Sequence, residues 1–213
     1  MRKKRKVFGL LAMIIVLLLM SGCTQQNQPA SQESLQIILE KATIIESVSY
    51  DLDISMKILD SVTQTTTIRI WQQLPYLKEQ SNTTAGNITT AITIIKRPEG
   101  FYRYDEVLQS YVYDGQVMIP QPSLLEISQD LLANQSLTIR GTEDILGKTA
   151  TVIEYTPVHM GNDTIITLWV WNEKGVPLKA EHTTSNEEFT VTMEYIYSNY
   201  SFEEIPQSIF AVE

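Results

Sequence analysis

Between residues 31 and 48 the apolar positions Leu35, Ile38, Leu39, Ala42, Ile45 and Val48 recur at three- and four-residue steps. That spacing lines one face of a helix, with Ser31 or Ser34 as its N-cap. The period then changes to two. In SVSYDLDISMKIL, Val48, Tyr50, Leu52, Ile54, Met56 and Ile58 alternate with Ser49, Asp51, Asp53, Ser55 and Lys57, which predicts a long antiparallel strand buried on one side. Further strands are predicted at about 62–71, 76–81, 87–96, 100–105 and 108–113. Turn signals separate them at Ala85-Gly86-Asn87, Pro98-Glu99-Gly100 and Asp114-Gly115, residue pairs suited to tight reversals. A second helix is predicted from about Ser123 to Ala133, capped by Ser123 with Glu126 three residues on. Strands return at 135–140, 149–156, 164–172, 177–185 and 188–197.

The predicted class is therefore mainly β with α+β character: one antiparallel sheet of short hairpins, an N-terminal helix and a mid-chain helix. So long a sheet must curl, and its concave side needs cover. In TIITLWVW, Ile165, Thr167, Trp169 and Trp171 point one way and Ile166, Leu168 and Val170 the other, which predicts a strand covered on both sides. FTVTMEY is one-sided, with Phe189, Val191, Met193 and Tyr195 inward and Thr190, Thr192 and Glu194 outward. The inward Ile, Val, Met, Tyr and Trp exceed what two short helices cover, which suggests a cavity.

The first 22 residues follow another logic. Arg2, Lys3, Lys4, Arg5 and Lys6 precede an apolar run from Val7 to Met20 broken only by Gly9. It is too short for the roughly 20 apolar residues of a membrane-spanning helix, and it reads as an export signal. Ser21 and Gly22 then precede Cys23, the one cysteine of the 213 residues. This order resembles the lipobox of prokaryotic lipoproteins, with Met20 where leucine is usual. The resemblance implies that Cys23 receives a diacylglycerol and becomes the first residue of the mature chain. TQQNQPASQ would be its tether, and two acyl chains suffice for stable anchoring. With Cys23 acylated no disulfide can form, so the core alone must hold the fold. Thr24 is not the aspartate that signals inner-membrane retention in two-membraned bacteria. The expected organisation is a signal peptide over 1–22, a lipidated tether over 23–33 and a single domain over 34–213. The expected place is the outer face of the cell membrane or the cell envelope.

Removing that signal takes five of the 16 basic residues and none of the 25 acidic ones, leaving a net charge near −14. So acidic a body has no basic patch for phosphates, which argues against nucleic acid as a partner, and anionic headgroups repel it. Catalytic constellations are missing too. His159 and His182 stand 23 residues apart with no HExxH, CxxC or GxSxG, so no enzyme activity, metal or cofactor is expected. Asp51 and Asp53 share a strand face and suit a hard cation in principle, but they read as a solvated face. Asn82, Asn87, Asn134, Asn162 and Asn199 head Asn-x-Ser/Thr sequons at predicted turns or strand ends, candidate glycosylation sites only if the source glycosylates exported proteins.

The last 45 residues carry a further resemblance. Trp169 and Trp171 lead into NEKGVPLKAE (Asn172 to Glu181), which reads as a strand, a turn at Lys174-Gly175 and a return strand begun by Pro177. YSNYSFEEIPQSIF then sets Ile205 and Phe210 as apolar plugs on either side of Pro206. With the lipobox, the N-terminal helix and the long sheet, this resembles the lipoprotein-sorting superfamily of LolA and LolB. The resemblance implies an unclosed, cup-shaped β-barrel with helices in its mouth and an apolar cavity for acyl chains. The lining candidates are Tyr50, Leu52, Ile54, Met56, Ile68, Ile70, Ile92, Ile94, Trp169, Trp171, Phe189, Val191, Met193 and Tyr195. The implied function is non-catalytic binding of a lipid or of an acylated protein. The alternative is an envelope sensor or scaffold that binds a protein partner.

Overall fold

The computed structural model describes residues 32–59, 61–115, 131, 137–156, 164–185 and 189–212. The predicted signal peptide, Cys23 and the tether lie outside these residues, as do His159, Asn134 and Asn162. So does the predicted mid-chain helix apart from Leu131, which is helical and buried in the main core.

The described residues begin with α1 (Gln32–Thr43), followed by β1 (Ser47–Ile58), β2 (Ser61–Gln73), β3 (Tyr76–Ala85), β4 (Ile88–Arg97), β5 (Gly100–Asp105) and β6 (Ser110–Tyr113). After the mid-chain segment come β7 (Thr138–Ile145), β8 (Lys148–Tyr155), β9 (Thr164–Trp171), β10 (Pro177–Ser185) and β11 (Thr190–Ser201), closed by a 3-10 turn at Gln207–Phe210. All eleven strands join one antiparallel sheet in the order β6-β5-β4-β3-β2-β1-β11-β10-β9-β8-β7. Two hairpin meanders thus meet where the first strand pairs with the last. The sheet does not close into a barrel, so its outermost strands are β6 and β7.

The register defines two faces. Leu52 lies opposite Tyr197 and Ile68, and Ile54 opposite Tyr195 and Thr66. These residues share the inner face, where Leu35, Ile38, Leu39 and Ala42 of α1 join the main core with Tyr50, Leu52, Ile70, Ile153, Leu168 and Val170. Each fully buried Leu or Ile contributes about 1.5–3 kcal/mol by leaving water. The outer face carries a smaller cluster around Ile95, Ile205 and Phe210, edged by Trp71, Tyr76 and Tyr102. The terminal segment is pinned there through Phe210, whose ring centre is 5.6 Å from that of Tyr76, so Ile205 and Phe210 are both buried as their pattern predicts.

The predicted turn of NEKGVPLK forms after β9. Gly175 N–H donates to the carbonyl of Trp171 at 2.8 Å, and Trp171 N–H donates to that of Val176 at 2.8 Å. This turn runs against α1. Lys41 Nζ donates to the Asn172 carbonyl at 2.6 Å, and Gly175, at φ +73°, has no side chain to hold the helix backbone away.

Ion pairs organise the outer face. Lys179 Nζ lies 2.7 Å from Glu194 Oε1 and 3.7 Å from Glu181, and Lys57 lies 3.7 Å from the other Glu194 oxygen. The Lys179 hydrogen bond holds the Glu194 carboxyl below its ordinary value of 4.5. A carboxyl lowered by folding adds stability above its unfolded value and loses it as pH falls through the folded one. Lys179→Met is therefore expected to lower the urea midpoint at pH 7 and to lie closer to wild type at pH 3. A gap of equal size at both pH values would show that the ion pair contributes nothing.

Candidate functional site

Among the described residues, the inner face is covered over only part of its length. Along β1, Val48, Tyr50, Leu52 and Ile54 are buried, Met56 is half-buried and Ile58 is exposed. The same change runs along β4, where Ile94 is buried while Ile92 and Ile88 are 42% and 72% exposed. On β11, Tyr197 is buried, Tyr195, Met193 and Val191 are half-buried, and Phe189 just before the strand is 41% exposed. Met193 lies opposite Met56 and His182, and Val191 opposite Ile58 and Thr184. One continuous surface therefore emerges from under α1 and runs to the rim. Alternation placed these residues on one face, and the structure brings Met56, Ile58, Ile92, Phe189, Val191 and Met193 onto its uncovered end.

The other lining candidates divide. Tyr50, Leu52, Ile54, Ile68, Ile70 and Ile94 are buried core. Trp171 packs at the core's margin near the helix end of the sheet, 6.4 Å from the Tyr200 ring and 6.2 Å from that of Phe202. Trp169 requires a correction. It pairs with Lys179 and Val152, on the face opposite Leu168 and Ala180. There Lys179 Nζ lies 4.9 Å from its ring centre, and its indole N–H donates to Glu143 at 2.8 Å. A lysine stem and an acid accommodate an outward indole, so an apolar residue on this strand need not face a core. The expectation that both faces of the strand are covered fails for the same reason, because Ile165 on this outer side is 46% exposed. Trp169→Ala is accordingly expected to cost about 1–2 kcal/mol of stability in urea unfolding. An unchanged midpoint would show that these outer-face contacts contribute nothing.

Polar candidates resolve as structure. Asp51 accepts from Arg69 Nη1 at 2.8 Å and from Asn199 Nδ2 at 2.7 Å. Although burial pushes the other way, these partners hold its carboxyl below the ordinary range. Asp51 and Asp53 edge an outer cleft of about 360 Å³ with Arg69 and Asn199 among its walls. An Asp51 already engaged by a guanidinium is a poor cation ligand, and no metal-ligating cluster occurs among the described residues. His182 is on the inner face, and burial lowers its pKa. Of the sequons, Asn87 is in the β3–β4 turn, whereas Asn82 lies within β3 opposite Thr67 and Ala91. Asn199 occupies an irregularity of β11 at φ +51°. A cleft of about 690 Å³ opens between the end of α1 and the residues after β11, among Lys41, Ile44, Gln73, Lys174, Phe202 and Glu204. Its charged walls suit an apolar ligand poorly.

Periodicity placed a strand at about 76–81 but assigned no inward face to β3. Its inward residues are Leu77, Glu79, Ser81 and Thr83, opposite Gln72, Ile70, Ile68 and Thr66 of β2. Glu79 is buried, and burial raises its carboxyl pKa.

These features define a class: an unclosed antiparallel half-barrel with one helix-bearing, partly uncovered face. No family model matches the chain, and no curated protein matches it. Solved structures do. The complex of Pseudomonas aeruginosa MucA with MucB is similar at 13% identity and a TM-score of 0.48, over 84% of this chain and 60% of that one. LolA superfamily protein NE2245 from Nitrosomonas europaea is similar at 15% identity and a TM-score of 0.32, over 83% and 97% of the two chains. A DUF1329 family protein from Desulfovibrio piger is similar at 11% identity and a TM-score of 0.35, over 86% and 97%. A LolA superfamily protein thus stands among the structural neighbours. This chain spans 60% of the first of these neighbours, and the site rests on the residues described above.

Proposed function

We propose that this chain is an extracytoplasmic lipoprotein, anchored through acylated Cys23, whose half-barrel binds an acyl chain of a lipid or acylated protein without catalysis. The observation that supports it is the uncovered end of the inner face, where Met56, Ile58, Ile92 and Phe189 continue an apolar surface beyond its helical cover. Burial against such a wall contributes about 0.8 kcal/mol per methylene, so a tail of eight methylenes gains roughly 6 kcal/mol before the cost of ordering it. Because apolar burial has no direction, the face would accept tails of differing length.

The test is titration of the purified protein with an uncharged fluorescent acyl probe. Saturation near one probe per chain, reversed by unlabelled lipid, is the expected result. A folded protein that takes up no probe would overturn the reading in favour of a protein-binding sensor or scaffold. Anchoring is tested separately by Cys23→Ser, which is expected to move the protein from the membrane fraction to the soluble one. Continued membrane retention of that variant would refute lipidation as the anchor.

A further inference from the structure

The inner face has two chemistries. On β1 and β11 it is apolar or aromatic, through Leu52, Ile54, Met56, Val191 and Met193. On β3 it is polar, through Glu79, Ser81 and Thr83. At the covered end of this polar track Gln72 of β2 is only 5% exposed, and its Oε1 is buried without a hydrogen-bond partner. Gln72 faces Leu77, and Ile70 faces Glu79, which makes Gln72 and Glu79 diagonal neighbours roughly 7–8 Å apart on the same face. Glu79 is also 5% exposed, and burial raises its carboxyl pKa. Toward the rim the track continues half-buried, with Ser81 donating to the Ile92 carbonyl at 3.5 Å and Thr83 sharing a hydrogen bond of 3.0 Å with Thr66.

A buried amide oxygen without a partner costs about 1–3 kcal/mol, so the Gln72 oxygen, diagonal to the buried Glu79 on a binding wall, requires an explanation. Packing supplies none, because leucine fills either position without that cost. A ligand that donates hydrogen bonds offsets it. A second carboxylate does not, since it would set like charge beside Glu79, and a pure hydrocarbon donates nothing. Hydroxyls meet the requirement because each can donate to Gln72 Oε1, to Glu79 or to the lone pairs of Ser81, and can accept from the Thr83 hydroxyl when Thr66 is the donor of their shared bond.

We infer that Gln72, Glu79, Ser81 and Thr83 form a hydroxyl-binding track, which selects an uncharged acyl lipid with a polyol head, glycerol or sugar. The inference rests on the acyl-binding reading and names its ligand class. The head lies along β3 and the tail crosses to the apolar side formed by β1 and β11. Such a site discriminates sharply, since a ligand lacking the hydroxyls leaves the polar groups unpaired.

The test is competition against the uncharged fluorescent probe by ligands of one tail length: monodecanoylglycerol, decyl glucoside and methyl decanoate. At least one polyol ligand is expected to bind about tenfold more tightly than methyl decanoate, equivalent to about 1.4 kcal/mol. The better of the two assigns the head as glycerol or sugar. Glu79→Leu and Gln72→Leu should each reduce that preference to about threefold or less while methyl decanoate binds as before. Glu79→Gln, which keeps an acceptor, should preserve most of it. Equal competition by all three ligands in the wild type would overturn the hydroxyl track and leave acyl binding standing, as would a preference that survives both leucine variants. Failure of the probe itself to bind would remove both readings.

Discussion

Gly175→Ala is expected to destabilise the protein by about 3–5 kcal/mol, a large fraction of the 5–15 kcal/mol that holds a typical domain together. Two costs combine. At φ +73° an added Cβ strains the backbone, typically by about 1–2 kcal/mol. It would also run into the Ile38 carbonyl oxygen and come within 3.0 Å of the Ala42 nitrogen. Both contacts are helix backbone, which cannot turn aside as a side chain can. The β9–β10 turn and α1 must then separate, loosening the core cluster that Ile38 and Ala42 share with Val176 and Val170. Gly147 supplies the control, since it has the same φ of +73° with nothing within 4 Å of the added Cβ. Gly147→Ala should cost only the strain, about 1–2 kcal/mol. Urea unfolding of the two variants measures the difference, and equal losses would show that the helix does not press on the turn.

Met193→Glu is expected to weaken acyl binding by at least about thirtyfold, or roughly 2 kcal/mol, with a melting temperature close to that of the wild type. Met193 is half-buried, so its glutamate keeps access to water in the free protein and costs little there. A bound tail would remove that access and strand a charge against hydrocarbon. Thr192, the next residue, points to the other face, opposite Lys57 and Thr183. Thr192→Glu should therefore bind acyl probe as the wild type does. The pair makes the face assignment itself the variable, because the charge is the same and only the side of the sheet changes. Equal weakening by both variants would contradict the assignment.

Much of this architecture is legible in the sequence because its determinants are local. The switch from period 3.6 to period 2 after α1 places β1 within a residue or two, and the turns at Gly86 and Gly100 delimit the hairpins of β3, β4 and β5. The pairing of β1 with β11 is not local. It sets Leu52 against Tyr197 across most of the domain, with no turn between them to announce it. Strand order was accordingly beyond what periodicity and turns specify. Trp169 shows a second limit, since alternation assigns residues to faces without naming which face is inner when both are apolar. At this position Lys179 and Glu143 settle the matter.

The site was legible to a similar depth. Alternation gathered Tyr50, Ile54, Met56 and Met193 on one face, yet it treats a residue under α1 and a residue at the open rim alike. Their difference arises from where the helix stops, which requires the packed structure. Glu79 shows the reverse case. Beside Gln80 and Lys78 in YLKEQSN it resembles an ordinary exposed strand residue, and only the register with Ile70 and Ile94 turns it inward.

The most direct measurement is native mass spectrometry, with lipid extraction, on the protein purified from its own host's membranes. The account predicts a stoichiometric, non-covalent acyl-bearing species in addition to the lipid on Cys23, released when the protein unfolds. A protein that emerges empty and then fails to take up an acyl probe would contradict it, and the exposed inner face would have to be assigned to a protein partner.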